Sequence, residues 1–580
     1  MARKETPHTY QGISASQGIS RGPAFVYQEQ DLRVPRRQIQ DSEDELRRFE
    51  NAITIASEQI TDLQIKAETE TGAEEAAIFE AHALFLQDPT LISAVHEAIE
   101  GQRMNAEAAW IDAIEINAAN LEALEDEYFR ARAADVRDVG QRVLRILLGV
   151  AESDLTDLTT PSIVLARDLT PSDTVRLDKS LVIGFCTAEG GPTSHTAILA
   201  KALGLPAVVG LGRSILDLKS GEPLLVDGGR GEVIAFPDEK IIQEFETRRQ
   251  KLEARALVEL ERAHEPATTV DGHLVEVVAN IGSPQDAQVA LEHGAEGVGL
   301  LRTEFLYLDR HEEPNEEEQL AAFNSILDTM EDRPVVVRTI DVGGDKEVPY
   351  LDLGVEANPF LGWRAIRMSL DKPELFKTQL RALWRASPGH DLRVMFPMIA
   401  TLDEVRRAQI LFNDAREEVA EGHAVADRVQ VGIMVEVPSV AVMADLFARE
   451  VDFFSIGTND LTQYTFAAER TNEKVAHLGD GCHPAVLRQI QRVINAAHDE
   501  GIWVGLCGEL AGDPDAVPIL VGLGLDEFSM APSSIPHAKA IIRSWSKSDA
   551  QSLATKVLDL DSAEAVREYV RSSRPGYELD

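Results

Sequence analysis

Five apolar segments in the second half of the chain are each followed at once by polar residues that can take part in chemistry. These polar residues are Arg302, Arg338, Glu436, Asn459 with Asp460, and Cys507. Glu436 and Asp460 are carboxylates without an obvious histidine or cysteine ligand beside them, and such hard oxygen ligands favour Mg²⁺ or Mn²⁺ over Zn²⁺. The planar guanidinium groups of Arg302, Arg338 and Arg470 suit a carboxylate or a phosphate. The set therefore predicts a magnesium or manganese site that binds a small anion.

Cys507 lies in the segment GLCGEL, and its position leaves two interpretations open. A buried cysteine most often serves as a small apolar side chain in the core. Beside two cations and a metal ion, however, the pKa of the thiol would fall, and the group could then donate and accept protons. The residue types alone do not decide between these roles.

A second group of residues lies in the segment GGPTSHTAILAKALGLPAVVG. Gly190 and Gly191 come shortly before His195, and an apolar helical pattern follows it. Thr193 or Ser194 can cap that helix. His195 then lies in the first turn, where unpaired backbone N–H groups and the helix dipole favour an anion. A single histidine near a helix start is usually structural or exposed, but this setting also suits an imidazole that carries a phosphoryl group.

The elements that must position the first group are strands and helices in alternation. From about residue 270, short apolar strands alternate with amphipathic helices, which is typical of parallel β/α units. The candidate strands are VEVVANI, GVGLLRTEF, PVVVRTI, LRVMFPM, VGIMVEV, DFFSIGTND, WVGLCGEL and EFSMAP. Eight such units predict a (β/α)8 TIM barrel, in which reactive groups lie at the C-terminal ends of the strands. Salt bridges that cap strand ends would explain one or two of the polar residues but not the whole set.

The remainder of the chain predicts an α/β multidomain protein with an interrupted first domain. Residues 1–35 and 150–236 have strand and turn patterns and form one small α/β domain. Residues 36–149 are almost free of glycine and proline and have apolar positions three and four apart, which predicts an inserted α-helical domain. A charged helix over residues 237–266 links this part to the barrel, residues 267–580. In the inserted helical domain, the apolar positions three and four apart begin with Leu46, Phe49, Ile53, Ala56, Ile60 and Leu63.

The composition excludes several classes of partner and location. The chain has 98 acidic against 56 basic side chains, a net charge of −42, whereas nucleic acid binding needs cationic patches. No segment has the apolar length of a membrane span or the pattern of a signal peptide. The only cysteines are Cys186, Cys482 and Cys507, whose wide spacing favours a reducing cytoplasm. We interpret the acidity as a means of solvation in a salt-rich cytoplasm.

Two long motifs carry a family resemblance. The run GGPTSHTAI resembles the phosphohistidine signature of enzyme I of the phosphoenolpyruvate:sugar phosphotransferase system, pyruvate phosphate dikinase and phosphoenolpyruvate synthase. DFFSIGTNDLTQYTFAAER resembles their second signature, which lies in the barrel. The order of the parts is similar to enzyme I from Gln11 to about Ile542. The resemblance implies a swivelling phosphohistidine domain and a C-terminal barrel that binds phosphoenolpyruvate.

The resemblance also implies roles for individual residues. It implies that His195 is phosphorylated at Nε2, with Thr174 as a hydrogen-bond partner, and that Cys507 is the proton donor. It implies that phosphoenolpyruvate is held by Arg302, Arg338, Asn459, Asp460, Arg470, Arg364 and Lys346. Glu436 and Asp460 would hold Mg²⁺, with Mn²⁺ as the alternative. One departure is Pro192, where many enzyme I sequences have arginine.

The family further implies partners and alternatives. The segment AEEAAIFEAHALFLQDPTL resembles the part of enzyme I that receives the small phosphocarrier protein HPr, and we expect Glu74, Glu75, Glu80 and His82 on one helix there. We also expect a homodimer formed through the barrel. Pyruvate phosphate dikinase or phosphoenolpyruvate synthase would require a nucleotide-binding domain, for which we expect no room before His195. A regulatory relay without turnover is disfavoured because the barrel residues are intact.

Overall fold

A computed structural model describes residues 6–574 apart from positions 28–31, 33, 71–78, 80–81, 123–126, 151–157, 171, 174–176, 192–194, 309, 311, 344–347, 349, 352–355, 357, 471 and 473–474. Thr174, Pro192 and Lys346 therefore lie outside the described residues. The chain divides into two compact units, residues 1–252 and residues 253–580. We call them the N-terminal unit and the C-terminal unit.

The N-terminal unit contains one mixed sheet with the order β1-β8-β7-β3-β4-β5-β6-β2. The central strands β3 to β6 pair in parallel, and the flanking strands pair antiparallel. Its strands are β1 His8–Gln11, β2 Ile13–Ser16, β3 Ile19–Val26, β4 Ser162–Ala166, β5 Val182–Thr187, β6 Ala207–Val209, β7 Pro223–Asp227 and β8 Glu232–Ala235. The short helix α5, His195–Leu203, follows β5 in the chain and packs against β2, β5 and β6. The predicted interrupted α/β domain is confirmed, and the interruption follows β3.

The interruption is a set of helices between β3 and β4. They are α1 Ser42–Glu70, α2 Pro89–Gln102, α3 Ala106–Glu122 and α4 Glu127–Leu148. Their apolar faces enclose a separate core in which the rings of Phe49 and Trp110 lie 5.6 Å apart. Each such large buried side chain stabilises the fold by about 1.5–3 kcal/mol. Gly140 lets α4 approach α3, because a Cβ atom there would lie 2.6 Å from Ile114. The predicted helical insertion is thus confirmed.

Helix α6, Glu239–Glu261, contains the boundary between the two units. Phe245 is its one buried residue, and half of its other side chains are charged. A helix without a wide apolar face buries too little surface to be packed into a core. This character is typical of a helix that connects two domains. The linker helix predicted over residues 237–266 therefore corresponds to α6, while the exact boundaries of the predicted domains stay predictions.

The C-terminal unit is a closed barrel of eight parallel strands, β10 to β17, with neighbours in chain order. Pairing of β10 with both β11 and β17 closes the sheet, and β9 adds an antiparallel pair to β10. The strands are β9 Ala267–Thr268, β10 Leu274–Ile281, β11 Val298–Leu301, β12 Val335–Arg338, β13 Leu392–Phe396, β14 Gln430–Val435, β15 Phe453–Ile456, β16 Trp503–Leu506 and β17 Glu527–Met530. The predicted TIM barrel is confirmed.

Helices surround this barrel and cover the outer faces of its strands. They are α7 Pro284–Glu292, α8 Glu316–Met330, α9 Ile366–Asp371, α10 Pro373–Ala386, α11 Leu402–Ala420, α12 Pro438–Val442, α13 Ala444–Phe447, α14 Thr458–Phe466, α15 Pro484–Glu500, α16 Ala516–Leu523, α17 Ile535–Ser544, α18 Lys547–Val557 and α19 Ala563–Ser573. Capping boxes define the starts of α8 and α11. Within the described residues, none of the helices combines the length and the apolar character that crossing a membrane requires.

Side chains alternate between two environments along each barrel strand, because successive residues point to opposite faces. In β14, Ile433 and Val435 pack between strands and helices, whereas Met434 packs in the smaller cluster inside the barrel. Glu436 comes two residues after Met434 and so lies on the same face, which directs its side chain inward just beyond the strand. Arg338 comes two residues after Val336 in β12 and also points inward.

Candidate active site

Arg338 forms the first part of a buried charge cluster at the C-terminal ends of the barrel strands. Its Nη2 atom donates to Oε1 of Glu304 at 2.6 Å, and its Nη1 atom lies 3.0 Å from Oδ2 of Asp341. Burial alone would lower the pKa of Arg338, but the carboxylates of Glu304 and Asp341 raise it overall. The buried Nε atom has no hydrogen-bond partner among the described residues.

Arg364 extends this cluster across the barrel. Its Nη2 atom donates to both carboxylate oxygens of Asp341, and its Nη1 atom donates to Oδ1 of Asp460 at 3.4 Å. Burial would lower the pKa of Arg364, yet Asp341 and Asp460 raise it above its ordinary value. Asp341 therefore fixes two guanidinium groups at once, a geometry suited to a multiply charged anion.

Glu436 is a fully buried carboxylate beside these arginines. Its Oε1 atom accepts the Met398 backbone N–H at 2.5 Å, and Met398 has the left-handed backbone φ of 54° that is strained for a side-chain-bearing residue. Burial, together with the charges of Asp460 and Asp341, raises the pKa of Glu436 to about 8. Several negative groups are thus packed together, which favours a bound cation.

The donor set fits the predicted divalent metal. Glu436 and Asp460 offer oxygen ligands only, and no group of three or more histidine, cysteine, aspartate or glutamate side chains forms a complete metal site in the described part of the chain. Mg²⁺ is commonly held by one or two carboxylates plus substrate phosphates rather than by an all-protein cage. The oxygen donors of Glu436 and Asp460 are of the type that a divalent metal ion accepts.

Cys507 points into the barrel interior and is 4% exposed. Its Sγ atom donates to the Ile456 carbonyl at 3.8 Å, which is a weak hydrogen bond. Burial raises the pKa of Cys507 to about 11, although Ser455, Arg338 and Arg302 oppose the increase. Burial is the larger effect on this thiol, and it outweighs the lowering of the pKa by the neighbouring cations. At neutral pH the thiol keeps its proton and can act as an acid.

The other predicted barrel residues lie around this cluster. Asn459 accepts the Glu509 backbone N–H at 3.0 Å, and Arg470 places Nη1 3.9 Å from Oδ2 of Asp460. Arg302 is exposed, and its backbone N–H bonds to the Ile281 carbonyl. The structure thus brings Arg338, Arg364, Glu436 and Asp460 into one network, with Arg470 and Asn459 at its edge. Lys346 is outside the described residues.

Several residues of the site were not predicted from the sequence. Glu304 and Asp341 pair with Arg338, and Asn280 holds the Cys507 carbonyl through its Nδ2 atom at 2.9 Å. Ser529 donates to the Oδ1 atom of Asn280 at 2.6 Å, which fixes the amide orientation. Asn280 lies near the C-terminal end of β10 and Asp341 lies three residues after β12, so the same search for polar residues at strand ends could have found them.

In the N-terminal unit, helix α5 begins at His195 and ends at Leu203. The Thr196 hydroxyl donates to Oδ1 of Asp168 at 3.3 Å, which joins this helix start to the segment DLTPSDT. That segment is anchored in turn, because Tyr27 donates to Oδ1 of Asp173 at 2.7 Å. The predicted helix start is confirmed in position, while its predicted caps, Thr193 and Ser194, lie outside the described residues.

The predicted acceptor surface of the helical insertion falls largely outside the described residues, which exclude Glu74, Glu75 and Glu80. His82 is described and is 2% exposed, with its ring 5.6 Å from the ring of Phe79. Its Nε2 atom lies 4.0 Å from Oδ1 of Asp135. His82 therefore belongs to the interior of the insertion rather than to an exposed rim.

Comparisons with known proteins agree with this architecture. The family described as PEP-utilising enzyme, PEP-binding domain, matches residues 258–547, which cover the barrel. The descriptions PEP-utilising enzyme, N-terminal, and PEP-utilising enzyme, mobile domain, match residues 11–132 and 158–231. These three matches follow the same order as the insertion, the phosphohistidine motif and the barrel.

Similar curated proteins span nearly the whole chain. Phosphoenolpyruvate-protein phosphotransferases of Bacillus sp. (strain S) and Geobacillus stearothermophilus are each 48% identical over 570 residues, with 98% of both chains covered. The protein of the same name from Bacillus subtilis (strain 168) is 47% identical over 563 residues, covering 97% of this chain and 99% of its own. The chain therefore belongs to the phosphoenolpyruvate-protein phosphotransferase family, and it is a phosphoenolpyruvate-utilising transferase.

Proposed function

We propose that His195 takes the phosphoryl group of phosphoenolpyruvate and passes it to a histidine of the phosphocarrier protein HPr, the first step of the sugar phosphotransferase system. The observation that supports this most is the pairing of two sites. One is a helix that starts at His195, and the other is a buried cluster of arginines and carboxylates inside a barrel. A phosphohistidine relay needs both a nucleophile and a separate site for the donor.

In the barrel, the arginines bind and orient the substrate. Arg338 and Arg364 are held by Asp341, so they offer fixed donors to the phosphate and carboxylate of phosphoenolpyruvate, with Arg302, Arg470 and Asn459 around them. Glu436 and Asp460 would hold Mg²⁺. When bound, this ion offsets the charge of the transferring phosphoryl group. Lys346 and Thr174 are assigned by the family resemblance alone.

The chemical step breaks the bond between phosphorus and the enol oxygen as a bond forms between phosphorus and Nε2 of His195. The electron pair of the broken bond leaves with the oxygen, which gives enolpyruvate. Cys507 then donates its thiol proton to the methylene carbon, and pyruvate results. Solvent returns a proton to the thiolate. A thiol whose pKa is about 11 is protonated at neutral pH, which is the form this step requires.

The setting and assembly are also part of the proposal. HPr would dock on the helical insertion, whose acidic residues suit a carrier with a basic rim. Two copies of the chain would associate through their barrels. The absence of a membrane-crossing helix among the described residues and three widely spaced cysteines agree with a cytoplasmic location.

The test is incubation with radiolabelled phosphoenolpyruvate and Mg²⁺. We expect protein-bound label that is lost in acid and kept in alkali, together with pyruvate, and we expect no label on His195→Ala. The matched control is His423→Ala, which removes an exposed histidine in the loop after α11. Label that persists in His195→Ala would refute the assignment of the nucleophile.

A further inference from the structure

Arg567 in the last described helix, α19, binds carboxylates from two separate loops of the barrel. Its Nε and Nη2 atoms donate to the two oxygens of Asp480 at 2.8 and 2.9 Å. The same guanidinium lies 2.8 Å from Oδ2 of Asp513 and 3.3 Å from Oδ2 of Asp515. Burial would lower the pKa of Arg567, but Asp480 and Asp513 raise it overall. One side chain thus joins the segment before α15 to the segment before α16.

Two further arginines add to this contact. Arg571 lies 2.9 Å from Oδ2 of Asp515, and Arg574 lies 2.5 Å from Oδ1 of the same carboxylate. The Asp515 side chain is only 5% exposed, whereas that of Arg571 is 64% exposed. We call Arg567, Arg571 and Arg574 the arginine clamp. Isolated ion pairs on a surface contribute little to folding stability. A network of ion pairs around one buried carboxylate, however, can hold the segment that carries it in one position.

The clamped segment, residues 507–515, is the loop that carries the candidate proton donor. It begins at Cys507, and its Glu509 backbone N–H donates to Oδ1 of Asn459. A short 3-10 helix, Glu509–Gly512, connects this end to Asp513 and Asp515. The clamp therefore holds one end of the loop whose other end lies in the candidate active site.

The second clamped segment packs directly on the first. A Cβ atom at Gly481 would lie 3.2 Å from Cδ1 of Leu510, so the backbone next to Asp480 touches the short 3-10 helix. Asp480 also accepts the Cys482 backbone N–H at 2.9 Å, which stiffens its own turn. The two packed segments are thus joined by one arginine.

We propose that Arg567 is a positioning residue for phosphoryl transfer from phosphoenolpyruvate. It acts by fixing the loop that sets the positions of Cys507 and of the Glu509 contact to Asn459, and it touches neither the substrate nor the reacting atoms. The inference rests on the proposed roles of Cys507 and Asn459. A lysine cannot replace this function fully, because a single ammonium cannot make the paired bonds to Asp480 and reach Asp513 as well.

The test compares Arg567→Met and Arg567→Lys with Arg488→Gln in the full-length protein. Arg488 also ties the C-terminal helices to the barrel, since its guanidinium donates to the Leu558 carbonyl at 2.6 Å, but it binds neither clamped loop. Three quantities are measured well below the unfolding temperature. They are kcat and KM for phosphorylation by phosphoenolpyruvate, the rate of Cys507 alkylation by iodoacetamide, and transfer from fully phosphorylated enzyme to the acceptor protein.

We expect kcat for phosphorylation to fall about 10- to 100-fold in Arg567→Met, because small displacements of reacting groups cost rate steeply. The kcat of Arg567→Lys should lie between those of Arg567→Met and the wild type. Cys507 should be alkylated faster in both, while transfer from the phosphorylated enzyme stays unchanged because it depends on the N-terminal unit. Arg488→Gln should behave like the wild type in all three measurements.

Two results would overturn the proposal. One is a wild-type kcat and alkylation rate in Arg567→Met, and the other is an equal loss in Arg488→Gln, which would indicate general loosening of the C-terminal helices. Cys507→Ala and Asn459→Ala separate this failure from that of the proposed function. If those two variants lose phosphorylation while Arg567→Met does not, the site assignment stands and the clamp does not act on it.

Discussion

The guanidinium of Arg364 lies 3.0 Å from each carboxylate oxygen of Asp341, and the same carboxylate also pairs with Arg338. One aspartate therefore sets the spacing of two buried cations. Each side chain is at most 8% exposed, so none of the three charges is compensated by bulk water. Asp341 is the residue that orients Arg338 and Arg364 relative to each other.

We predict that Asp341→Asn weakens both substrate binding and stability. The amide keeps the shape of the carboxylate but leaves two buried arginines without their shared partner, which costs about 3–5 kcal/mol in unfolding free energy. KM for phosphoenolpyruvate should rise, because the arginines are no longer held in one orientation. Denaturant unfolding and steady-state kinetics measure the two effects. The exposed Asp403→Asn, on α11, is the control and should change neither.

The sequence predicts the residues that end strands better than the residues that support them. Arg338 and Glu436 are the first polar residues after buried strand cores, so the fold class alone places them together. The pairing of Glu304 with Arg338 spans 34 positions and joins residues that follow or end two neighbouring strands, β11 and β12. Arg364 follows no strand, and only the family resemblance indicated it. Local patterns carry no information about such cross-barrel contacts.

We predict that Cys507→Ala slows the conversion of phosphoenolpyruvate to pyruvate about 10²- to 10⁴-fold, the range for loss of a general acid. Because burial raises the pKa of Cys507 to about 11, alkylation by iodoacetamide should be slow at neutral pH and should increase as the pH rises toward that value. Mass spectrometry of the modified peptide measures the rate. A thiol that reacts as fast at pH 7 as at pH 10 would contradict the protonated form.

We predict that Lys539→Met destabilises the C-terminal unit by about 2–4 kcal/mol. The ammonium group is fully buried and donates to the carbonyls of Ala263 and Gly294 and to Glu296, at 2.8 to 2.9 Å. Methionine fills a similar volume but leaves all three acceptors without this donor. Urea unfolding of the full chain tests the prediction, and Lys556→Met, at an exposed position of α18, should unfold like the wild type.

Glu527 is a buried acid that the proposed reaction does not use. It points into the barrel from β17, where a Cβ atom at either Gly299 or Gly505 would lie 2.7 Å from its Oε1 atom. These two glycines therefore make room for the carboxyl group. Neither of its oxygens has a hydrogen-bond partner among the described residues. An unpaired carboxylate in such a position is costly, so the protonated form is favoured.

We predict that Glu527→Gln makes the protein more stable at alkaline pH. Burial and the charge of Glu276 raise the pKa of Glu527 from 4.5 to about 8, so the folded state holds a proton that the unfolded chain releases. The stability of the wild type should fall as the pH rises from about 4.5 to about 8. Glutamine is neutral at every pH, so the variant lacks this part of the pH dependence of the unfolding free energy. The unfolding free energy of the variant should therefore match that of the wild type near pH 4 and exceed it at pH 9 by a few kcal/mol. Thermal unfolding across this pH range measures the difference, with Glu421→Gln at an exposed site as the control. Parallel pH profiles for the wild type and Glu527→Gln would mean that the carboxyl group is paired or hydrated inside the barrel.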